Sequence, residues 1–216
     1  MFIRDHMTPN PITVTKQTTV IDALEIMKKN KIRRLPVLQD GRLVGLITER
    51  DILRVSPSPA STLSAFEVNY LVAKMKVKDA MIKRPVTVPP EMTIEEAALL
   101  MREHKIDNLL VMEKEKLVGI ITQTDLFDAM IKLFGLRRPG IRLTLEVEDR
   151  VGVLANIAQI VKEAGINIIN VANRHKDDLH TYVVLRLATD DAGPLIPALE
   201  AQGYRVVHVS AYNGSN

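Results

Sequence analysis

The sequence predicts a mixed α/β and α+β protein. Two copies of one strand–helix–strand–strand–helix unit pack about a pseudo-twofold axis, and a smaller βαββαβ domain follows. Three observations predict this. Residues 5–53 align without a gap on 79–127 at a constant offset of 74, and about 18 of the 49 positions are identical. Apolar residues within each copy switch between helical and strand spacing. Residues 141–212 carry a third pattern that matches neither copy. Two copies are too few for a solenoid, so paired packing is the expected arrangement.

The elements follow in order. Each copy opens on Asp-x-Met (Asp5-His6-Met7 and Asp79-Ala80-Met81), and Pro11-Ile12-Thr13-Val14 matches Pro85-Val86-Thr87-Val88 as a short strand. Thr19 then caps a helix whose apolar face is Val20, Ala23, Leu24 and Met27, with Asp22 as a capping-box variant. Copy two repeats this with Thr93, Glu96, Ile94, Ala97, Ala98 and Met101. Leu35–Leu38 and Leu43–Ile47 are apolar runs joined by Gln39-Asp40-Gly41-Arg42, a hairpin signal. Asp51-Ile52-Leu53 begins the closing helix. The reading divides the chain into a first motif over 1–55, a linker with a short helix over 56–76, a second motif over 77–134, a linker over 135–140 and a last domain over 141–212. The first linker is marked by Ser56-Pro57-Ser58-Pro59-Ala60-Ser61, with Phe66, Tyr70, Leu71 and Met75 as the apolar face of its helix.

In the last third, Ile141, Leu143, Leu145 and Val147 alternate as a half-buried strand. After a turn over Glu148–Gly152, the residues Val153, Ile157, Ile160, Val161 and Ala164 mark one helix face that stops at Gly165. A strand over 166–171, a turn at Lys176-Asp177-Asp178, and alternation at Val183, Leu185 and Leu187 follow. A short helix through Leu195, Ala198 and Leu199 and a strand from Tyr204 complete the order βαββαβ, the ferredoxin-like split motif.

Composition narrows the function. Hydrophobic residues make up 46% and charged residues 25%, which excludes a disordered or collagen-like chain. With no cysteine there is no disulfide, thiolate zinc site or Cys nucleophile, and a reducing cytoplasm is the expected location. No apolar run reaches the roughly 18–20 residues of a membrane helix, and the opening residues lack a signal-peptide pattern. A net charge of +3 on near-balanced acids and bases is weak evidence for nucleic acid. The five histidines form no metal set, and His175 and His180 around Asp177-Asp178 read as a solvated hairpin. Gly135-x4-Gly140 starts like a P-loop, but Ile141-Arg142 replaces the required Lys-Ser/Thr. No nucleophile stands with its base, so no enzyme and no required cofactor are expected.

Against this background each copy resembles a CBS (cystathionine-β-synthase) motif. The likeness rests on the opening Asp-x-Met, Pro-x-Thr-Val, Arg33-Arg34-Leu35-Pro36-Val37 and Gly45-Leu46-Ile47-Thr48-x-x-Asp51, with Gly119-Ile120-Ile121-Thr122-x-x-Asp125 in copy two. The last third resembles an ACT domain through Asp149-x-x-Gly152-x-Leu154 and Gly165-Ile166-Asn167-Ile168. A CBS pair followed by an ACT domain resembles the bacterial acetoin-utilisation protein B family, which implies a regulatory sensor.

Thr48-x-x-Asp51 and Thr122-x-x-Asp125 each follow a strand and start a helix. Free helix N–H groups suit a phosphate, and an Asp can accept two hydrogen bonds from a ribose diol. Ile12, Val14, Val86 and Val88 can line an adenine slot. The resemblance implies an adenosine ligand here: AMP, ADP, ATP or S-adenosylmethionine. The competing reading is simple helix capping, since Thr and Asp favour helix starts. Arg33 and Arg34 break the repeat, because Asp107 and Asn108 stand at the equivalent positions. Arginine pairs with phosphate and aspartate repels it, so two unequal sites are expected; the competing reading is a solvated basic face over 28–34.

For the ACT part the resemblance implies amino-acid binding at an ACT–ACT interface by Asp149, Gly152, Val153 and Leu154, with Asn167 and Asn170 nearby. Val151 departs from the proline common before that glycine, and plain dimerisation is the alternative. A homodimer is expected. The alternative functions are a nucleic-acid binder using 28–34 and 132–142, disfavoured by 4% aromatic content, and a purely structural dimerisation module. A small hydrolase lacks its catalytic set.

Overall fold

The computed structural model describes residues 1–55 and 74–214. The Ser56–Ser61 linker and Phe66, Tyr70 and Leu71 of the expected connecting helix lie outside the described residues. The chain forms two compact units, Met1–Leu126 and Phe127–Asn216.

In the first unit both copies build the same half. Copy one has β2 (Val14–Thr15), α1 (Val20–Asn30), β3 (Arg34–Gln39), β4 (Arg42–Thr48) and α2 (Glu49–Val55). After α3 (Val77–Ala80), copy two has β5 (Thr87–Val88), α4 (Ile94–His104), β6 (Asn108–Glu113), β7 (Lys116–Thr122) and α5 (Gln123–Leu133). The registers agree at the 74-residue offset. Val14 pairs in parallel with Val37, and Val88 with Val111. Arg34 opposes Thr48, and Asn108 opposes Thr122. Both Thr caps form as predicted: the Thr19 Oγ1 accepts from the Asp22 N–H at 3.0 Å, without the return bond expected of the Asp22 carboxylate, and Thr93 with Glu96 closes a full capping box. The buried faces of α1 and α4 are also equivalent, Val20, Ala23 and Met27 against Ile94, Ala97 and Met101. Between the two hairpins Leu46, Leu110 and Ile120 form a small core, flanked by Leu43 and Leu117. Each such fully buried aliphatic side chain contributes about 1.5–3 kcal/mol.

The sequence reading missed one feature. A short strand, β1 (Thr8–Pro9), leaves copy one and pairs antiparallel with β7 of copy two, Thr8 against Ile120 and Pro9 against Gly119. The equivalent residue of copy two returns the contact: Ile82 and Leu46 exchange both backbone hydrogen bonds, at 2.8 and 2.9 Å. The segments just upstream do the same. Phe2 bridges Thr93, and Lys76 bridges Thr19. Each copy's opening residues are thus built into the other copy, and the expected motif over 1–55 gives up its first ten residues to the second half. Periodicity could not reveal this, because two-residue strands carry no pattern.

The exchange explains two glycines. A Cβ on Gly45 would lie 2.7 Å from the Met81 Sδ and 2.8 Å from the Ile82 carbonyl oxygen. A Cβ on Gly119 would meet the Met7 side chain first.

In the second unit β8 (Gly140–Glu148), α6 (Val153–Glu163), β9 (Ile168–His175), β10 (His180–Leu187), α7 (Leu195–Ala201) and β11 (Arg205–Tyr212) follow in order. The antiparallel sheet has the order β11-β8-β10-β9. Alternate residues of the central strands, Leu143, Leu145, Val147, Val183, Leu185 and Leu187, pack on Val153, Ile157, Val161, Leu195 and Leu199. This is the predicted βαββαβ fold, with the helices on one face of the sheet.

Gly45→Ala should destabilise the chain by about 1–3 kcal/mol, since a backbone carbonyl must move. Gly119→Ala should cost less, since the Met7 side chain can swing aside. Urea unfolding of the two variants checks this; equal losses would contradict the exchange geometry.

Candidate functional site

The two Thr-x-x-Asp segments fold alike. The Asp51 Oδ2 accepts from the Thr48 N–H at 3.0 Å and from the Thr48 hydroxyl at 2.6 Å, and the Asp51 N–H donates to the Thr48 Oγ1 at 3.2 Å. In copy two the corresponding distances are 2.7, 2.8 and 3.5 Å. These are reciprocal capping boxes with Asp at the third helical position. The capping reading is therefore geometrically real. Both accepted bonds end on Oδ2 in each copy, and among the described residues no hydrogen bond ends on the Oδ1 of Asp51 or Asp125. All four residues are half-buried.

The predicted adenine slot divides by exposure. Val14 and Val88 are 6% and 3% exposed, and Val14 packs in the core of the first half. Each pairs in parallel with its neighbouring strand, Val14 with Val37 and Val88 with Val111. Ile12, 41% exposed, and the half-buried Val86 are the accessible members.

The two arginines also part. Arg33 is exposed and lines a surface depression of about 270 Å³ with Lys28, Lys31 and Glu49. Arg34 turns to the other copy. Its Nε donates to the Asp107 Oδ1 at 3.2 Å and a terminal nitrogen pairs with Oδ2. The Asn108 amide donates to the same Oδ1 at 2.9 Å. The residues that break the repeat thus bond to each other. The clue was in the sequence, as opposite charges at symmetry-related positions, but an assignment to phosphate obscured it. Burial pushes the Asp107 carboxyl up; the Arg34 hydrogen bond and charge, with the Asn108 amide, outweigh that and hold it below its ordinary value.

In the last domain the expected residues do not converge. Gly152 starts α6 with φ +89°, has no side-chain cap, and faces open space. Val153 is buried, whereas Leu154 is 48% exposed. Asp149 stands near this end, and its Oδ2 lies 3.1 Å from the His175 Nδ1. Asn167 lies beyond the other end of α6, about 16 Å away for 11 residues. Asn170 is committed elsewhere: its amide donates to the Leu133 carbonyl at 3.1 Å, capping the end of α5. Within one copy of the chain Asn167 and Asn170 therefore stand apart from Gly152, whereas the expected site is one built between two ACT domains. A strand runs antiparallel to the helix before it, so residues near 175, not 167, return to the helix start. Among the described buried side chains, the Thr181 hydroxyl lacks a hydrogen-bond partner. Thr181 is in register with Val147 and His175, at this same end of the sheet.

Among the described residues, no three His, Asp or Glu are placed to hold a metal ion, and no helix is long and apolar enough to cross a membrane.

Comparison with known proteins gives two family matches. The CBS domain matches residues 3–58 and 77–132, and the TTHA0829-like ACT domain matches 139–210. The protein MJ1426 of Methanocaldococcus jannaschii is 35% identical over 155 residues, covering 61% of this chain and 92% of that one. A Vibrio cholerae structure assigned to acetoin utilization (AcuB) is 30% identical with a TM-score of 0.52, over 62% of this chain and 92% of that one. CBSX2, solved in complex with AMP, is 33% identical with a TM-score of 0.52, over 61% of this chain and 97% of that one.

Two outcomes follow. Thr48→Ala and Thr122→Ala should each cost about 1 kcal/mol in urea unfolding, the value of a lost helix cap. The Arg34–Asp107 pair should stabilise the fold above the ordinary carboxylate range, where an unfolded Asp is ionised, and lose that effect as the pH falls through the depressed folded value. The stability difference between wild type and Asp107→Asn should therefore be present at pH 7 and shrink as the pH drops from about 5 toward 2; a constant difference would contradict the pairing.

Proposed function

Because the chain belongs to the CBS-domain family and carries a TTHA0829-like ACT domain in its last third, we propose that it is a ligand-sensing regulatory protein. Its CBS pair takes an adenosine ligand, AMP, ADP, ATP or S-adenosylmethionine. The observation that carries this reading is the Oδ1 of Asp51 and Asp125, on which no hydrogen bond from the described residues ends, beside a Thr hydroxyl in each copy. A cap alone uses one carboxylate oxygen; the second is placed to accept from a ribose hydroxyl. Arg34, in register with Thr48, brings a guanidinium to this end of the cleft, its fork held by the Asp107 carboxylate. Ile12 and Val86 offer apolar surface to the base. The similarity to CBSX2, which was solved with AMP, supports the same ligand class.

The ACT domain adds a second input. An amino acid would place its carboxylate at the start of α6 beside Gly152, which has no side-chain cap, and its ammonium near Asp149, with the Thr181 hydroxyl as a further polar group at that end of the domain. Homodimerisation through either domain and a link to acetoin or related carbon metabolism complete the reading, the latter supported by the likeness to the Vibrio cholerae protein. Ligand binding acts on a partner only through different affinities for two arrangements of the chain. The role is regulatory, and no catalytic residue is assigned.

A thermal-shift panel of adenosine ligands and single amino acids tests this. A ligand at 100 times its Kd should stabilise the chain by about 2.7 kcal/mol. The shift should vanish in Asp51→Ala or Asp125→Ala, each judged against its own unliganded Tm. No shift with any adenosine ligand would reduce the Thr-x-x-Asp segments to helix caps and leave a dimerising module.

A further inference from the structure

The Arg34–Asp107 pair sits between the two candidate adenosine sites. Arg34 opposes Thr48 across the β3–β4 ladder, so the two side chains share one sheet face. Asp107 directly precedes Asn108, which opposes Thr122, and the Asp107 carbonyl accepts from the Gln123 N–H at 3.1 Å, at the start of α5. The Arg33 carbonyl accepts from the Glu49 N–H at 3.0 Å, at the start of α2. One ion pair therefore ties the two helix starts together.

Its geometry resembles the one a phosphate would use. Arg34 presents Nε and a terminal nitrogen to the two oxygens of one carboxylate, a two-pronged fork. Arg34 is mostly buried, with 19% of its side chain exposed. Asp107 is held from its far side by the amide of Asn108, itself buried. The carboxylate is thus held by two partners, although 55% of the Asp107 side chain remains exposed. The symmetry-related positions hold no such pair: Arg33 stands where Asp107 would be, and Asn108 where Arg34 would be. Only one of the two sites has its guanidinium already engaged.

We propose that Asp107 is an internal competitor for the ligand's phosphate, occupying Arg34 and setting the charge selectivity of the CBS-pair cleft. A phosphate that reaches Arg34 must displace a carboxylate and then lie beside it. Both effects oppose binding: the carboxylate loses its partner, and two negative charges are brought close. A ligand with an adenine and ribose but no phosphate at that position meets neither penalty. The ligand class favoured at the Arg34 end is therefore an adenosyl compound without a phosphate there. Asp107 touches the ligand only through Arg34, so it is a specificity-determining residue. This inference rests on the adenosine reading of the cleft.

Calorimetric titration of the full chain with AMP and with adenosine separates the possibilities. Asp107→Asn keeps the shape and most of the hydrogen bonding but removes the charge. It should tighten AMP binding about tenfold, the effect of one charge-assisted hydrogen bond discounted for partial exposure, and should change adenosine binding less than twofold. Adding Arg34→Gln to Asp107→Asn should erase the gain for AMP. If Asp107→Asn leaves AMP binding unchanged, weakens it, or tightens adenosine equally, the competitor role is overturned while the adenosine reading stands. If neither AMP nor adenosine binds wild type or variant, the competitor role is overturned; if ADP, ATP and S-adenosylmethionine also fail to bind, the adenosine reading falls with it.

Discussion

Each copy of the repeat lacks an edge that only the other copy's opening segment supplies. Thr8-Pro9 completes the sheet of copy two, and Ile82 returns two hydrogen bonds to Leu46 of copy one. Phe2 at Thr93 and Lys76 at Thr19 clamp the two equivalent helix starts. Met7 and Met81 fill the space above Gly119 and Gly45. Neither half can close its hydrogen-bonding ladder alone, so the pseudo-twofold axis is a bonding requirement as well as a packing preference. The positions of both Thr-x-x-Asp boxes follow, because each box sits at the end of a strand, β4 or β7, whose edge is covered by the exchanged segment.

Within that symmetric frame the chemistry is asymmetric. Capping boxes at Thr48–Asp51 and Thr122–Asp125 are nearly superimposable in their bonding. The difference lies at two adjacent positions, Arg33-Arg34 against Asp107-Asn108. Substitution at symmetry-related positions converts what would be two like-charged clusters facing each other into an ion pair. Arg33 is left outside it, lining a basic depression with Lys28 and Lys31. The two Thr-x-x-Asp boxes thus share a scaffold but not their charged surroundings.

Much of the fold was legible because its signals are local and periodic. The α1, α4 and α6 faces follow helical spacing, the β8 and β10 strands alternate strictly, and the Thr caps act over three residues. What escaped the sequence was non-local. The β1 strand has two residues and takes its identity from a partner across the other copy. Nor could spacing separate Val14 and Val88, which are buried, from Ile12 and Val86, which are accessible, because apolar residues of a core and of a binding slot look alike. Asn167 and Asn170 are near Gly152 in number but not in space, since a helix of 11 residues separates them. Asn170 also has a task that no spacing announces, capping the last turn of α5 through Leu133.

The exchanged opening segment has a consequence for how the chain is made. Thr8 leaves the ribosome early, yet its partner Ile120 follows about 110 residues later. At ordinary synthesis rates of about 5–20 residues per second, the first ten residues wait on the order of 5–20 s with an unpaired strand. The first half can assemble its hairpin and helices meanwhile, but its own edge at Leu46 also waits for Ile82. Completion of either half thus depends on arrival of the second copy, and the nascent chain carries two open ladder edges until then. A change within 1–9 is therefore felt in the second copy, although those residues lie ahead of the first.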